Sequence, residues 1–261
     1  MTGLYGRGGV RAQARTPRAR SVRRSLAELG TAAVALTVVG VLLLRPPPSA
    51  SAHEHQVVPP AAVAPVVSEK AQLNRCTKGK VALTFDDGPG PFTPAVLAVL
   101  RAYKAPSTFF VLGQKVAAGR ATLSAMVADG NTVGNHSWDH PHLGDLGEAE
   151  IRRQLTDTEA AITGAGIPAP VLMRPPFGST SPVVEDTASA LNLRLSNWTY
   201  DSEDWRGRRA PDLVTAVVRD ATPGMVVLMH DGTADASNTV AALPGIIEGL
   251  RGRGFCTVAL A

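Results

Sequence analysis

Two carboxylates stand side by side in Thr84-Phe85-Asp86-Asp87-Gly88-Pro89, and two imidazoles stand four apart in His136-Ser137-Trp138-Asp139-His140. An i, i+4 pair on a helical turn projects both rings to one side, close enough to share a metal ion. Two histidines and one carboxylate are the ligand set of an open catalytic zinc, which keeps a position for water and lowers that water's pKa towards 7. Asp87 would supply the carboxylate, leaving Asp86 for proton transfer. The competing reading of the acid pair is a turn or helix cap before Gly-Pro. A glycosidase pair is disfavoured, because its two acids stand roughly 5 Å or more apart across the scissile bond.

Three later segments carry further candidates. In Arg174-Pro175-Pro176-Phe177-Gly178 the guanidinium could orient a carboxylate, and the rigid prolines could present a main-chain NH to developing negative charge. Taken alone, a proline-rich turn explains that segment equally well. Asp201-Ser202-Glu203-Asp204-Trp205 and Leu228-Met229-His230-Asp231 offer a carboxylate that could keep an imidazole protonated. A serine nucleophile has little support, since no G-x-S-x-G elbow occurs, although Ser137 sits beside a histidine.

The elements that must position these residues alternate. VALTF precedes an amphipathic run over 93–103, STFFVLG one over 114–128, and NTVGNH one over 148–163. VLMR, LRLSNW and MVVLMH are followed by amphipathic runs over 182–191, 211–221 and 239–251, and FCTVAL closes the series. Strand followed by helix, with about seven strands in all, predicts a parallel sheet covered by helices. The candidate residues fall at the C-terminal ends of many different strands. An incomplete (β/α) barrel, α/β in class and single in domain, is therefore preferred to an open doubly wound sheet.

In this order the motifs resemble those of carbohydrate esterase family 4, the polysaccharide deacetylases with a NodB homology domain, from about Lys80 to the C-terminus. The resemblance implies that Asp86 is the general base, that Asp87, His136 and His140 hold one divalent ion, zinc or alternatively cobalt, and that His230 is the general acid. It further implies that Arg174 orients Asp86, that Asp204 pairs with His230, that the Phe177 NH contacts the oxyanion, and that Trp205 and Leu228 wall the acetyl or sugar pocket. Phe177 departs from the tyrosine frequent in the family, but the contact is a main-chain one. His142, two residues past the second metal histidine, could compete as a ligand or touch substrate. The implied reaction removes N-acetyl groups from N-acetylglucosamine in peptidoglycan, chitin or chitooligosaccharide. The alternatives are an O-deacetylase of acetylated xylan and a catalytically silent sugar-binding module.

Seven arginines and no acid occupy Met1 to Arg24, and no charge occurs from Leu29 to Leu44. This predicts a signal peptide or membrane anchor over 1–52, with Ala50-Ser51-Ala52 as a cleavage site and a twin-arginine signal at Arg23-Arg24 as a variant. A flexible Pro/Ala-rich lead-in is expected over 53–74, and the catalytic domain over 75–261. Eight of the 26 basic residues and only Glu28 of the 22 acids lie in 1–52, leaving 18 basic and 21 acidic residues beyond it. That balance gives no basic face for nucleic acid. The expected chain is an exported monomer, secreted or anchored to the outer face of the cell membrane, that touches the membrane only through its N-terminal segment. In an oxidising compartment Cys76 and Cys256, before the first strand and inside the last, would pair; two buried thiols are the alternative.

Overall fold

The computed structural model describes residues 76–261. The leader and lead-in expected over 1–52 and 53–74 lie outside the described residues.

Strand β1 (Gly79–Gly88) is the axis of the fold. Its alternate residues Val81, Leu83 and Phe85 are wholly buried in the main hydrophobic core. There they meet Val96 and Leu100 of helix α1 (Thr93–Tyr103) and Leu243 and Ile247 of helix α7 (Ser237–Gly252). The intervening Thr84 and Asp86 face the other way, by the two-residue period of a strand, and both meet Arg174. One face of β1 thus makes core and the other makes chemistry.

On one side of β1 the sheet continues through β2 (Thr108–Val111), β3 (Thr132–Asn135), β4 (Leu172–Met173) and β5 (Arg194–Leu195). On the other side come β7 (Val226–His230) and β6 (Tyr200–Asp201), and β8 (Phe255–Val258) pairs with the first half of β1. Every pairing is parallel. The intervening helices are α4 (Glu148–Gly164), α5 (Pro182–Ala190) and α6 (Ala210–Asp220). The outermost strands β5 and β6 are joined by residues 196–199 alone. So short a strap brings the two edges within about 18 Å of each other. The result is the expected incomplete (β/α) barrel in a single domain.

Two details differ from the sequence pattern. LRLSNW is not one strand: Ser196 N donates to Met173 O, whereas Thr199 N donates to Val226 O. The chain leaves one sheet edge and joins the other within three residues, a change of partner that a local β pattern does not encode. The run over 114–128 is two helices, α2 (Gly113–Val116) and α3 (Arg120–Ala128). They break at Gly119, where a Cβ would lie 2.2 Å from Pro89 Cγ.

Cys76 and Cys256 are joined in a disulfide, with Cα atoms 5.2 Å apart. The bond fastens the start of the described chain to β8, whose Cys256 lies opposite Lys80 of β1.

Candidate active site

The C-terminal strand ends surround a cleft of about 370 Å³. It is lined by eight of the residues singled out from sequence: Asp86, Asp87, His136, His140, Phe177, Trp205, Leu228 and His230. Arg174 and Asp204 are buried just behind it. Trp198, Asp201 and Thr233 complete the lining and were not assigned from sequence. Asp201 lies in a motif singled out for its neighbours, and Trp198 in a run assigned to a strand.

Asp87, His136 and His140 offer donor atoms that all lie within 4.8 Å of one another. Asp87 Oδ1 is 3.4 Å from His136 Nε2 and 3.1 Å from His140 Nε2. Tetrahedral zinc with bonds of about 2.0–2.1 Å places its ligand atoms about 3.3 Å apart. The other nitrogen of His136 fixes the ring: Nδ1 donates to the Arg174 carbonyl at 2.7 Å. In a neutral ring Nε2 then turns its lone pair to the site. Asp87 Oδ1 is buried and has no hydrogen-bond partner among the described residues. A lone pair facing an unpartnered carboxylate oxygen calls for a cation between them, and the three residues fit a divalent ion.

The histidines do not meet by helical spacing. Residues 136–140 form a loop after β3, with Ser137 and His140 left-handed at φ 68° and 71°. Non-glycine residues held there need support from their surroundings. Asn135 Oδ1 accepts from Ser137 N at 2.9 Å, and Gln154 Oε1 accepts from Trp138 N at 2.7 Å. Gln154 belongs to α4, so the next helix along the chain shapes the His136–His140 loop.

Asp86 is only 2% exposed, and its Oδ1 accepts from Arg174 Nη1 at 2.8 Å. Arg174 is wholly buried; it also donates to Thr84 Oγ1 at 2.8 Å and to Ser196 O at 2.9 Å, and its guanidinium lies 4.1 Å from the centre of the Phe110 ring. A buried cation needs this many partners.

Across the cleft His230 Nδ1 and Asp204 Oδ1 are 2.8 Å apart. Asp204 Oδ2 accepts from His230 N at 2.8 Å and from Thr239 Oγ1 at 2.7 Å. Burial opposes charge on His230, but the Asp204 hydrogen bond and charge prevail, with help from Asp86 and Asp87, and raise it to about 9. An imidazole so held is an acid at neutral pH.

Phe177 and Trp205 are 58% and 51% exposed, and both line the cleft. Arg206 stacks on Trp205 at 4.6 Å, and His142 lies flat on Phe177 at 4.0 Å and 15°. His142 is outside the group of donor atoms around Asp87. Asp231, next to His230, is fully buried. Its burial outweighs the hydrogen bond from Thr93, nearby Asp86 and Asp87 add to the rise, and the acid is pushed up to about 7.

Residues 74–196 match the family model described as polysaccharide deacetylase. A chitooligosaccharide deacetylase from Sinorhizobium fredii is 39% identical over 187 residues, 67% of this chain and 87% of that one. A peptidoglycan-N-acetylmuramic acid deacetylase from Bacillus subtilis is 39% identical over 61% of this chain and 34% of its own. A bifunctional xylanase/xylan deacetylase from Cellvibrio japonicus is 37% identical over 68% of this chain and 26% of its own. The chain thus spans only about a quarter to a third of the length of these last two relatives. A family 4 carbohydrate esterase from Streptomyces lividans, solved with acetate, is 38% identical and superposes with a TM-score of 0.67 over 70% of this chain and 93% of that one. With those strand-end residues gathered into one cleft, and with a chitooligosaccharide deacetylase and a solved family 4 esterase each matched over most of their length, the chain belongs to the polysaccharide deacetylase family, carbohydrate esterase family 4.

Proposed function

We propose that this chain hydrolyses the N-acetyl groups of N-acetylglucosamine residues in a polysaccharide, peptidoglycan or chitin and its oligomers, and releases acetate. The observation that carries the reading is one cleft holding an arginine-aimed carboxylate, an Asp-His-His donor set and a carboxylate-held imidazole.

Asp87, His136 and His140 would hold one divalent ion, zinc by the chemistry of its donors, with cobalt as the alternative. Such an ion supplies Lewis acidity at the acetyl carbonyl and a water acidic enough to attack at neutral pH. Asp86, aimed by Arg174, takes the proton from the attacking water. The Phe177 NH donates a hydrogen bond to the acetyl oxygen as negative charge develops on it. His230, kept protonated by Asp204, gives its proton to the departing sugar nitrogen, so the amine leaves neutral and no covalent acyl-enzyme is needed. Trp205 and Leu228 wall the pocket for the acetyl or sugar group.

O-deacetylation of acetylated xylan is the second reading, favoured by the relative named a xylan deacetylase. A silent sugar-binding module has less support, because base, ligand and acid positions are all filled. The disulfide agrees with an exported protein, secreted or held at the outer face of the membrane by its N-terminal segment.

Acetate release from chitin oligomers, peptidoglycan and acetylxylan, with zinc or cobalt added, tests the reading. Release from either glucosamine polymer, abolished by Asp86→Asn, is expected. No release from any of the three overturns the enzyme reading, and release from acetylxylan alone selects the second.

A further inference from the structure

Asp87 bears its proposed ligand oxygen on a main chain held at φ 71°. Aspartate enters that left-handed state more readily than most residues but still at a cost, so contacts that hold it there matter. Two contacts close on its carbonyl. A Cβ at Gly232 would lie 1.9 Å from Asp87 O, so only glycine lets the turn after β7 come this near. Lys115 Nζ donates to the same Asp87 O at 2.8 Å and to Gly232 O at 3.0 Å.

Lys115 belongs to α2, whose first residues hold a third segment: Gly113 N donates to Ser137 O at 3.0 Å and Gln114 N to Trp138 O at 3.1 Å. One turn of helix therefore grips the Asp87 turn, the His136–His140 loop and the turn that follows His230. The Lys115 ammonium is half-buried, and both of these partners are main-chain carbonyls rather than carboxylates. A long flexible cation fixed on two carbonyls, with no ion pair among the described residues, gives up rotamer freedom for little unless the placement of those carbonyls matters.

We infer that Lys115 is a positioning residue of the metal site: by tying Asp87 O to Gly232 O it sets the Asp87 carboxylate against the two histidines and fixes the spacing between the metal-ligand turn and the His230 turn. The inference rests on the proposed Asp87-His136-His140 site. Lys115 is not among the residues that line the cleft.

Zinc affinity, measured by competition with a chromophoric chelator, and the melting temperature of the metal-free protein test it together. Lys115→Met is expected to weaken zinc binding about tenfold, as loss of a partner behind a ligand does. The metal-free melting temperature should stay nearly unchanged, and at saturating zinc kcat should fall more than KM changes. Lys115→Arg, which keeps the donors, should recover most of the affinity. Unchanged zinc affinity in Lys115→Met overturns the inference, as does a fall in metal-free stability with affinity intact, which would make Lys115 merely structural. If Lys115→Met does not fold, Lys115→Gln decides: lowered affinity supports the assignment and unaltered affinity overturns it. Failure of the unaltered chain to bind zinc would remove the metal-site reading itself, an outcome separate from equal binding by chain and variant.

Discussion

The Asp204 carboxylate grips His230 twice, at ring Nδ1 and at the main-chain NH, each at 2.8 Å. The ring can therefore neither rotate away nor easily lose its proton.

Replacing that charge should move the alkaline limit of activity. The acid works while protonated, so kcat/KM is expected to fall as pH rises through about 9. In Asp204→Asn the limb should shift towards about 6.5, leaving roughly 30-fold less protonated imidazole at about pH 8. A pH profile of acetate release reads the shift directly, and an unmoved limb would show that His230 is not the titrating acid.

Asp86→Asn keeps the shape and the arginine contact but removes the base. A loss of about 10²- to 10⁴-fold in kcat/KM is expected, with zinc binding retained. Steady-state kinetics on metal-loaded protein, alongside zinc titration, separate this from loss of metal.

Zinc removal should act on both activity and stability. A ligand present at about 100 times its dissociation constant adds about 2.7 kcal/mol to the folded state. Differential scanning with and without chelator should show that gain, and His140→Ala should abolish most of it.

Asp231 is an acid that the proposed reaction does not use, pushed up to about 7 by burial. Between about pH 4 and 7 the folded chain keeps a proton that the unfolded chain has released, so stability should fall as pH rises through that window. Asp231→Asn is expected to flatten the profile and to melt roughly 2–8 °C higher than the unaltered chain at about pH 8. Equal slopes of melting temperature against pH would contradict the assignment.

The disulfide joins positions 180 residues apart, so its loss should free a long loop in the unfolded chain. Cys256→Ser should cost about 2–5 kcal/mol. Urea denaturation of the two proteins measures it.

What the sequence made legible follows from what is local. Strand-helix alternation and the polar residues just past each strand are short-range signals, and they placed Asp86, Asp87, His136, His140 and His230 at one rim. The barrel came with them. The helical turn drawn through His136 and His140 does not exist, because Asn135 just before it and Gln154 of the following helix take the main-chain NH groups of Ser137 and Trp138, and the Gln154 contact is not encoded in the spacing of the two histidines. Trp198 and β6 were missed for a similar reason: hydrogen bonds to opposite sheet edges divide a run that looks uniformly extended. Lys115 carried no local signal, since its role depends on two carbonyls from distant turns.

Arg174 aims Asp86 and also donates to Ser196 O and Asn197 O in the strap between β5 and β6. Trp198, the next residue of that strap, is a wall of the cleft. Aim and aperture therefore hang on one pin. A substitution that widens the cleft at the strap will tend to swing the base off target, so broader substrate acceptance and full reactivity are expected to trade against each other in variants of this segment.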